Sequence, residues 1–198
     1  MASKDANHAA SSEPNRPDGN DDGVLAKRAA MGDRMAYSYL IRRWQTPLWQ
    51  IARRYTGDAS EAEDIVQIVL VAFWQRLSDV GSPSNVGAFL RRATLNACRD
   101  WSRRRAVRAF FFRASALDER VVAQAPENDL ADDDANLTLL DSLISKLPES
   151  LKEPLILCAI EGITHKEAGT ILGITPKAIE NRIARAKVAL LNNWPITG

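Results

Sequence analysis

Hydrophobic positions along this chain recur every three or four residues, in stretches bounded by turn-forming residues. That period predicts helices throughout. From Val24 to Tyr55, the residues Tyr37, Leu40, Ile41, Trp44, Leu48, Ile51 and Tyr55 share one face, with Pro47 marking a kink or a break. The "TGD" at 56–58 is a stop signal. "SEAEDIVQIVLVAFWQRL" follows, with Ser60 and Glu63 spaced as a capping box and acids crowding the first turn. Ile68 to Trp74 are apolar without interruption, so a helix there has hydrophobic surface almost all round. The β-branched content also suits a strand, but the capping box and the unbroken helical frame to Leu77 favour a helix. So small a chain has little interior to cover such a helix, and part of its surface is expected to await another protein.

"SDVGSPSN" at 78–85 reads as a loop, and a helix is expected from about Val86 to Arg105. Within it, "RRATLNACRDWSRRR" gathers Leu90, Ala93, Thr94, Ala97, Cys98 and Trp101 on one side, with Arg92, Asn96, Arg99 and Arg103 opposite. A solvated basic face and a polyanion-binding face both fit this stripe. Between 106 and 136 the period is lost, and Phe110, Phe111 and Phe112 are expected to pack against the first module. A second module restarts at "LTLLDSLISKL". Its next two helices begin with the capping boxes Ser150/Glu153 and Thr164/Glu167, and Pro154 falls in a first turn. "GIT" then makes a tight turn before "PKAIENRIARAKVALL", which opens with Pro176 at the favoured first position. Two helices joined by a short glycine-containing turn form a helix-turn-helix. In the second helix Ile179, Ile183, Ala186 and Leu190 face inward. Lys177, Asn181, Ala184, Arg185 and Val188 face outward, a set of long donors and small apolar groups suited to a DNA major groove.

Charge separates these modules. The net formal charge is +1, but residues 1–23 carry −3, 24–113 carry +9, 114–149 carry −7 and 150–198 carry +2. Two binding modules around an acidic linker account for that segregation. Cys98 and Cys158 lack the spacing of metal ligands and are expected to be reduced, buried thiols. The polar first 23 residues read as a disordered tail, not a signal peptide, and no apolar run reaches transmembrane length; a cytoplasmic location is expected. With two histidines and no glycine-rich phosphate loop, an enzyme is disfavoured, and neither a metal, a cofactor nor a small-molecule substrate is expected.

Taken in order, three segments carry a resemblance. "ASEAEDIVQIVLVAFWQRL" resembles the core-polymerase-binding helix of the extracytoplasmic-function sigma factors, within the sigma-70 superfamily. "VGAFLRRATLNACRDWSRRR" is similar to that family's −10-reading helix. "LPESLKEPLILCAIEGITHKEAGTILGITPKAIENRIARAKVALL" is similar to its region 4. The chain departs from the family's usual residues at Ile68 (an acid), Phe89 (often Trp), Lys152 (Arg) and Gly169 (Ala); "RRAVRAFFF" is similar to a metal-responsive subgroup. The resemblance implies an all-α protein of two small helical domains. These are a region 2 over 24–109 and a region 4 over 137–198, joined by a flexible acidic linker over 110–136 that would lie in a nucleic-acid channel of the polymerase. It implies core RNA polymerase contacts through Glu61, Asp64, Gln67, Ile68, Val71 and Trp74. Arg92, Asn96, Arg99 and Arg103 would meet the −10 element, with the 78–88 loop capturing an unstacked base. Lys177, Asn181, Arg182 and Arg185 would meet the −35 element. The partners implied are core RNA polymerase, promoter DNA and an anti-sigma factor, often membrane-anchored, in control of a stress or envelope response. The competing reading of the same residues is a stand-alone helix-turn-helix regulator.

Overall fold

The computed structural model describes residues 19–79, 85–115 and 132–195. Among them every regular element is helical: α1 Gly19–Ala30, α2 Arg34–Thr56, α3 Ala59–Asp79 and α4 Val86–Ser115 in the first module. The second holds α5 Asp132–Lys146, α6 Glu149–Leu155 running into a π-helical turn Ile156–Ile160, α7 His165–Leu172 and α8 Pro176–Asn193. Residues 80–84, the middle of the expected base-capturing loop, and 116–131, most of the expected linker, lie outside the described residues.

Helix α2 is the centre of the first module. Asp33 caps it by accepting from the backbone N–H of Met35 and Ala36, each at 3.0 Å. Gly57 closes it in the left-handed conformation at φ 75°, donating to Arg53 C=O. Pro47 neither kinks the chain into two helices nor ends it; α2 runs through as one element. Of its predicted face, Leu40, Trp44, Leu48, Ile51 and Tyr55 are buried and Tyr37 and Ile41 half-buried, and α3 and α4 pack on it through Ile65, Phe73, Leu77, Leu90, Leu95 and Cys98. The cap of α3 is Asp58, whose Oδ1 accepts from Glu61 N at 3.0 Å, and not Ser60.

The polar N-terminal stretch corrects its expectation at one end. Helix α1 begins at Gly19, and Asp22 is fully buried. Its carboxylate accepts from Trp44 Nε1 at 2.9 Å and pairs with Arg43 at 3.1 Å. An ionised carboxylate survives in a core only with such partners. In the second module, α6 has Pro148 at its cap position with no side-chain cap bond, so the Ser150/Glu153 box does not form. Pro154 lies one turn deeper than its sequence position suggests, just ahead of the π turn. The Thr164/Glu167 box is complete in both directions. Thr175 caps α8, with Pro176 at its start. Cys98 is buried, and its thiol is pushed upward chiefly by desolvation, whereas Cys158 is only partly buried.

The buried Asp22 supplies a stability test. Asp22→Ala leaves the Trp44 indole N–H without its acceptor and removes the buried carboxylate that Arg43 faces, and urea unfolding should report a loss of about 2–4 kcal/mol. Asp22→Asn, which keeps an acceptor for Trp44, should lose less. Equal stability of all three proteins would show that the α1 contact contributes nothing.

Candidate nucleic-acid interface

Helix α4 carries the basic stripe on the side away from its buried residues; Arg92, Asn96 and Arg103 are exposed and Arg99 half-buried, but part of the stripe is bonded to the second module. Arg92 reaches across to the second module and donates to the main-chain carbonyls of Thr170, at 2.6 Å, and Ile171, at 3.0 Å. These belong to the last turn of α7, where carbonyls lack intrahelical partners and the helix dipole is negative. Arg99 makes a two-pronged pair with Glu153 on α6, Nε to Oε1 and Nη2 to Oε2 each at 2.6 Å, and its Nη1 donates to Asn96 Oδ1 at 2.9 Å. The fork of a guanidinium matches a carboxylate in this way, and Glu153 holds the Arg99 pKa above its ordinary value. Arg103 pairs with Asp100 one turn back. The four residues predicted from sequence thus share one face, and three of them are held directly or through a neighbour by α6 and α7.

Further polar contacts tie the same two surfaces together. Arg91 lies over the Trp44 ring at 4.8 Å and 3.6 Å from Glu161. Burial pushes the Glu161 carboxyl upward while Arg91 pulls it down. Arg54 approaches Asp141 at 3.6 Å. Lys152, almost wholly buried, donates to the C=O of Ser145 and to the C=O of Tyr55, and sits 4.5 Å from the Tyr55 ring centre. Burial lowers its pKa. Tyr55 C=O belongs to the last turn of α2, so this cation also meets the negative end of a helix. The pattern explains why the Ser150/Glu153 box is missing: the Glu153 carboxylate is committed to Arg99. A cleft of about 340 Å³ remains where the modules meet, lined by Trp44, Gly87, Arg91, Glu161 and Thr170 among others.

The two other candidate surfaces are open. On α3, Asp64, Gln67, Ile68 and Val71 are exposed in succession at helical spacing, with Glu61 and Trp74 half-buried at the two ends. Ile68 and Val71 are 53% and 57% exposed, so the over-apolar helix does leave a hydrophobic face in water. Trp74 is held from behind by Tyr37, ring centres 4.6 Å apart, and Tyr37 donates its hydroxyl proton to Leu70 C=O. On α8, Ile179, Ile183 and Ala186 are buried while Lys177, Asn181 and Arg185 are exposed and Arg182 is half-buried. Lys177 pairs with Glu180 at 2.9 Å. The helix-turn-helix corner is tight: a Cβ on Gly169 would stand 2.6 Å from Ile174 O, which gives glycine a steric reason there.

What the sequence missed here is the second partner of each interaction. Glu153, Glu161 and Lys152 carry no local mark of an inter-module role; Glu153 is adequately explained by capping, Lys152 reads as an ordinary helix residue and Glu161 follows the π-helical turn. Phe110 and Phe111 do not pack on the first module, contrary to expectation; both are exposed, and α4 continues past Arg105 to Ser115. The Phe112 side chain lies outside the described residues.

With this geometry in hand, comparison with known proteins is decisive at the level of family. Residues 40–108 match the family model for sigma-70 region 2, and residues 137–190 match that for sigma-70 region 4. The chain belongs to the sigma-70 family of RNA polymerase sigma factors, which are transcription initiation factors, and within it to the extracytoplasmic-function group. RNA polymerase sigma factor NccH of Alcaligenes xylosoxydans xylosoxydans is 35% identical over 174 residues, covering 85% of this chain and 92% of NccH. CnrH of Cupriavidus metallidurans is 34% identical over 175 residues, with the same coverage of 85% and 92%. A solved structure of CnrH in complex with the cytosolic domain of CnrY is similar over 87% of this chain and 96% of that one, with a TM-score of 0.64 and 29% identity. The sigma factor RpoE of Bartonella quintana, solved with the anti-sigma factor NepR, shares the fold at a TM-score of 0.60 and 21% identity. No helix among the described residues is long and apolar enough to cross a membrane.

The Arg99–Glu153 pair makes the junction testable. Glu153 is buried and Arg99 is about a third exposed, so partial solvent screening reduces its loss to about 1–3 kcal/mol. Glu153→Gln should therefore shift the chain toward separated modules, read as a larger radius of gyration by small-angle X-ray scattering. An unchanged radius, in low salt as well as high, would mean that the pair does not hold the modules together.

Proposed function

We propose that this chain binds core RNA polymerase through the α3 face and directs it to promoters, reading the −10 element with α4 and the −35 element with α8. The observation that carries this reading is the coexistence on one chain of an exposed apolar helix face and two separate DNA-suited helix faces, in the order found in the family. Glu61, Asp64 and Gln67 supply polar contacts to the polymerase, and Ile68, Val71 and Trp74 supply burial. Arg92, Asn96, Arg99 and Arg103 meet the melted −10 region, where phosphate neutralisation offsets the cost of unstacking bases. Lys177, Asn181, Arg182 and Arg185 enter the major groove of the −35 element.

The closed arrangement bears directly on this mechanism. Arg92 and Arg99 cannot meet DNA while α7 and α6 hold them, so promoter reading requires the modules to part. A partner that fastens the closed form keeps the protein inactive. The solved complexes of CnrH with the cytosolic domain of CnrY, and of RpoE with NepR, make an anti-sigma factor the fitting candidate for that partner. A cytoplasmic site of action follows from the same reading. The stand-alone regulator reading accounts for α7 and α8 but gives the exposed Ile68 and Val71 no role.

Run-off transcription with purified core RNA polymerase on the DNA upstream of its own gene tests the proposal. A discrete start should appear only when the protein is added. Asn96→Ala and Arg99→Ala should each weaken it by roughly tenfold, the scale of one lost base or phosphate contact. Val71→Asp should abolish it by preventing polymerase binding. Tight sequence-specific binding by the free protein, with no start site in the presence of core enzyme, would overturn the reading.

A further inference from the structure

Helix α4 does not end where its packing ends. Trp101 is its last buried side chain, and Arg103 through Phe111 are exposed without interruption. The helix nevertheless runs on to Ser115, about 20 Å beyond Trp101 at the rise of an α-helix. A projecting helix with no tertiary contacts is only marginally stable in water, and apolar side chains on it bring no folding benefit. Yet Val107, Phe110 and Phe111 are 54%, 70% and 64% exposed, the two rings meeting edge to face with centres 6.0 Å apart. Winding the helix at 100° per residue sets Arg104, Val107, Arg108 and Phe111 in one strip, with Phe110 beside it. Between Asp100 and Asp118 the sequence holds five arginines and no acid.

Aromatic rings among arginines, with no acid in the sequence from Trp101 to Leu117, fit a ligand that has both flat apolar faces and a regular negative charge. An unpaired nucleic-acid strand has both, whereas in a duplex the base faces are covered by stacking. We propose that the projecting segment of α4 is a binding surface for single-stranded nucleic acid, in which the Phe110 and Phe111 rings stack on unpaired bases and Arg104 and Arg108 neutralise the adjoining phosphates. The surface lies further along the helix that carries Asn96 and Arg99, and it rests on the sigma-factor reading only for the source of the strand, a melted promoter.

The test uses the full-length protein and fluorescein-labelled oligothymidylate, with an abasic strand of equal length as the control. Phe110→Ala/Phe111→Ala should weaken oligothymidylate binding by about tenfold or more, the size of a lost stacking contact, and leave abasic-strand binding unchanged. Phe110→Trp/Phe111→Trp should restore it. Arg104→Gln/Arg108→Gln should weaken both strands and flatten the salt dependence by about 1.4 in log–log slope. The substituted side chains are exposed, and equal unfolding midpoints will confirm that the variants are folded. Unchanged oligothymidylate affinity in the alanine variant overturns the proposal. So does a variant that keeps its oligonucleotide affinity but loses binding to phosphatidylserine vesicles or to core polymerase, which would assign the phenylalanines to a lipid or a protein surface. A wild-type start site in run-off transcription together with phenylalanine-independent strand binding would sink this inference alone. Phenylalanine-dependent strand binding without any start site would sink the sigma-factor reading alone.

Discussion

The structure depends on how the arginines of α4 find negative charge. Like charges spaced by three and four residues repel along a helix, and each must be solvated or paired. Here Arg91, Arg92 and Arg99 are paired across a junction, with Glu161, with the carbonyl end of α7 and with Glu153. Each partner is of the kind a nucleic-acid backbone also offers, an anionic or strongly polar oxygen, at hydrogen-bond distance for Arg92 and Arg99 and at 3.6 Å for Arg91. The second module therefore stands where promoter DNA is proposed to stand, and the interactions exchanged are chemically similar. Such an exchange has a small net free energy, so a modest bias from a third partner can decide it.

That bias has a natural place to act because the surfaces differ in whether the second module holds them. The α3 face is open, with Ile68 and Val71 in solvent, while the α4 stripe is held. Tyr37 and the cap at Asp58 fix α3 from behind, so its exposed face is presented by a rigid element. Ile68 and Val71 make that face apolar.

Local periodicity makes the helices legible, because burial on one face imposes a period of three to four residues whatever the tertiary partner. The inward set of α2, the inward set of α8 and the cap pair Thr164/Glu167 are all readable on that ground. The failures have a common cause. Asp22 lies in a polar, acidic stretch, and nothing local distinguishes it from its neighbours; its burial is decided by Trp44 and Arg43 far along the chain. Glu153 has the spacing of a cap residue, but a guanidinium fork from another module outcompetes a single backbone N–H. Phe110 and Phe111 are apolar, so composition places them inside, whereas the helix that bears them has already left the body. For the candidate sites, the helix faces are legible and their closure is not, since the closure resides in pairs separated by more than fifty residues.

Lys152 shows why the closed form is specific and not a loose collapse. A buried ammonium loses much hydration, and burial accordingly lowers its pKa. It is tolerable only because two carbonyls, from the end of α2 and from α5, accept from it and the Tyr55 ring lies beneath it. Those acceptors come together only when α6 seats on the end of α2 in one register. If α6 slid by a turn, the ammonium would be left in apolar surroundings without partners, at a cost that repacking of the neighbouring side chains would not offset. The buried cation therefore selects one docking geometry, the same geometry that brings Glu153 onto Arg99 and the end of α7 onto Arg92. Registering the two modules and occupying the basic stripe are consequences of a single seating of α6.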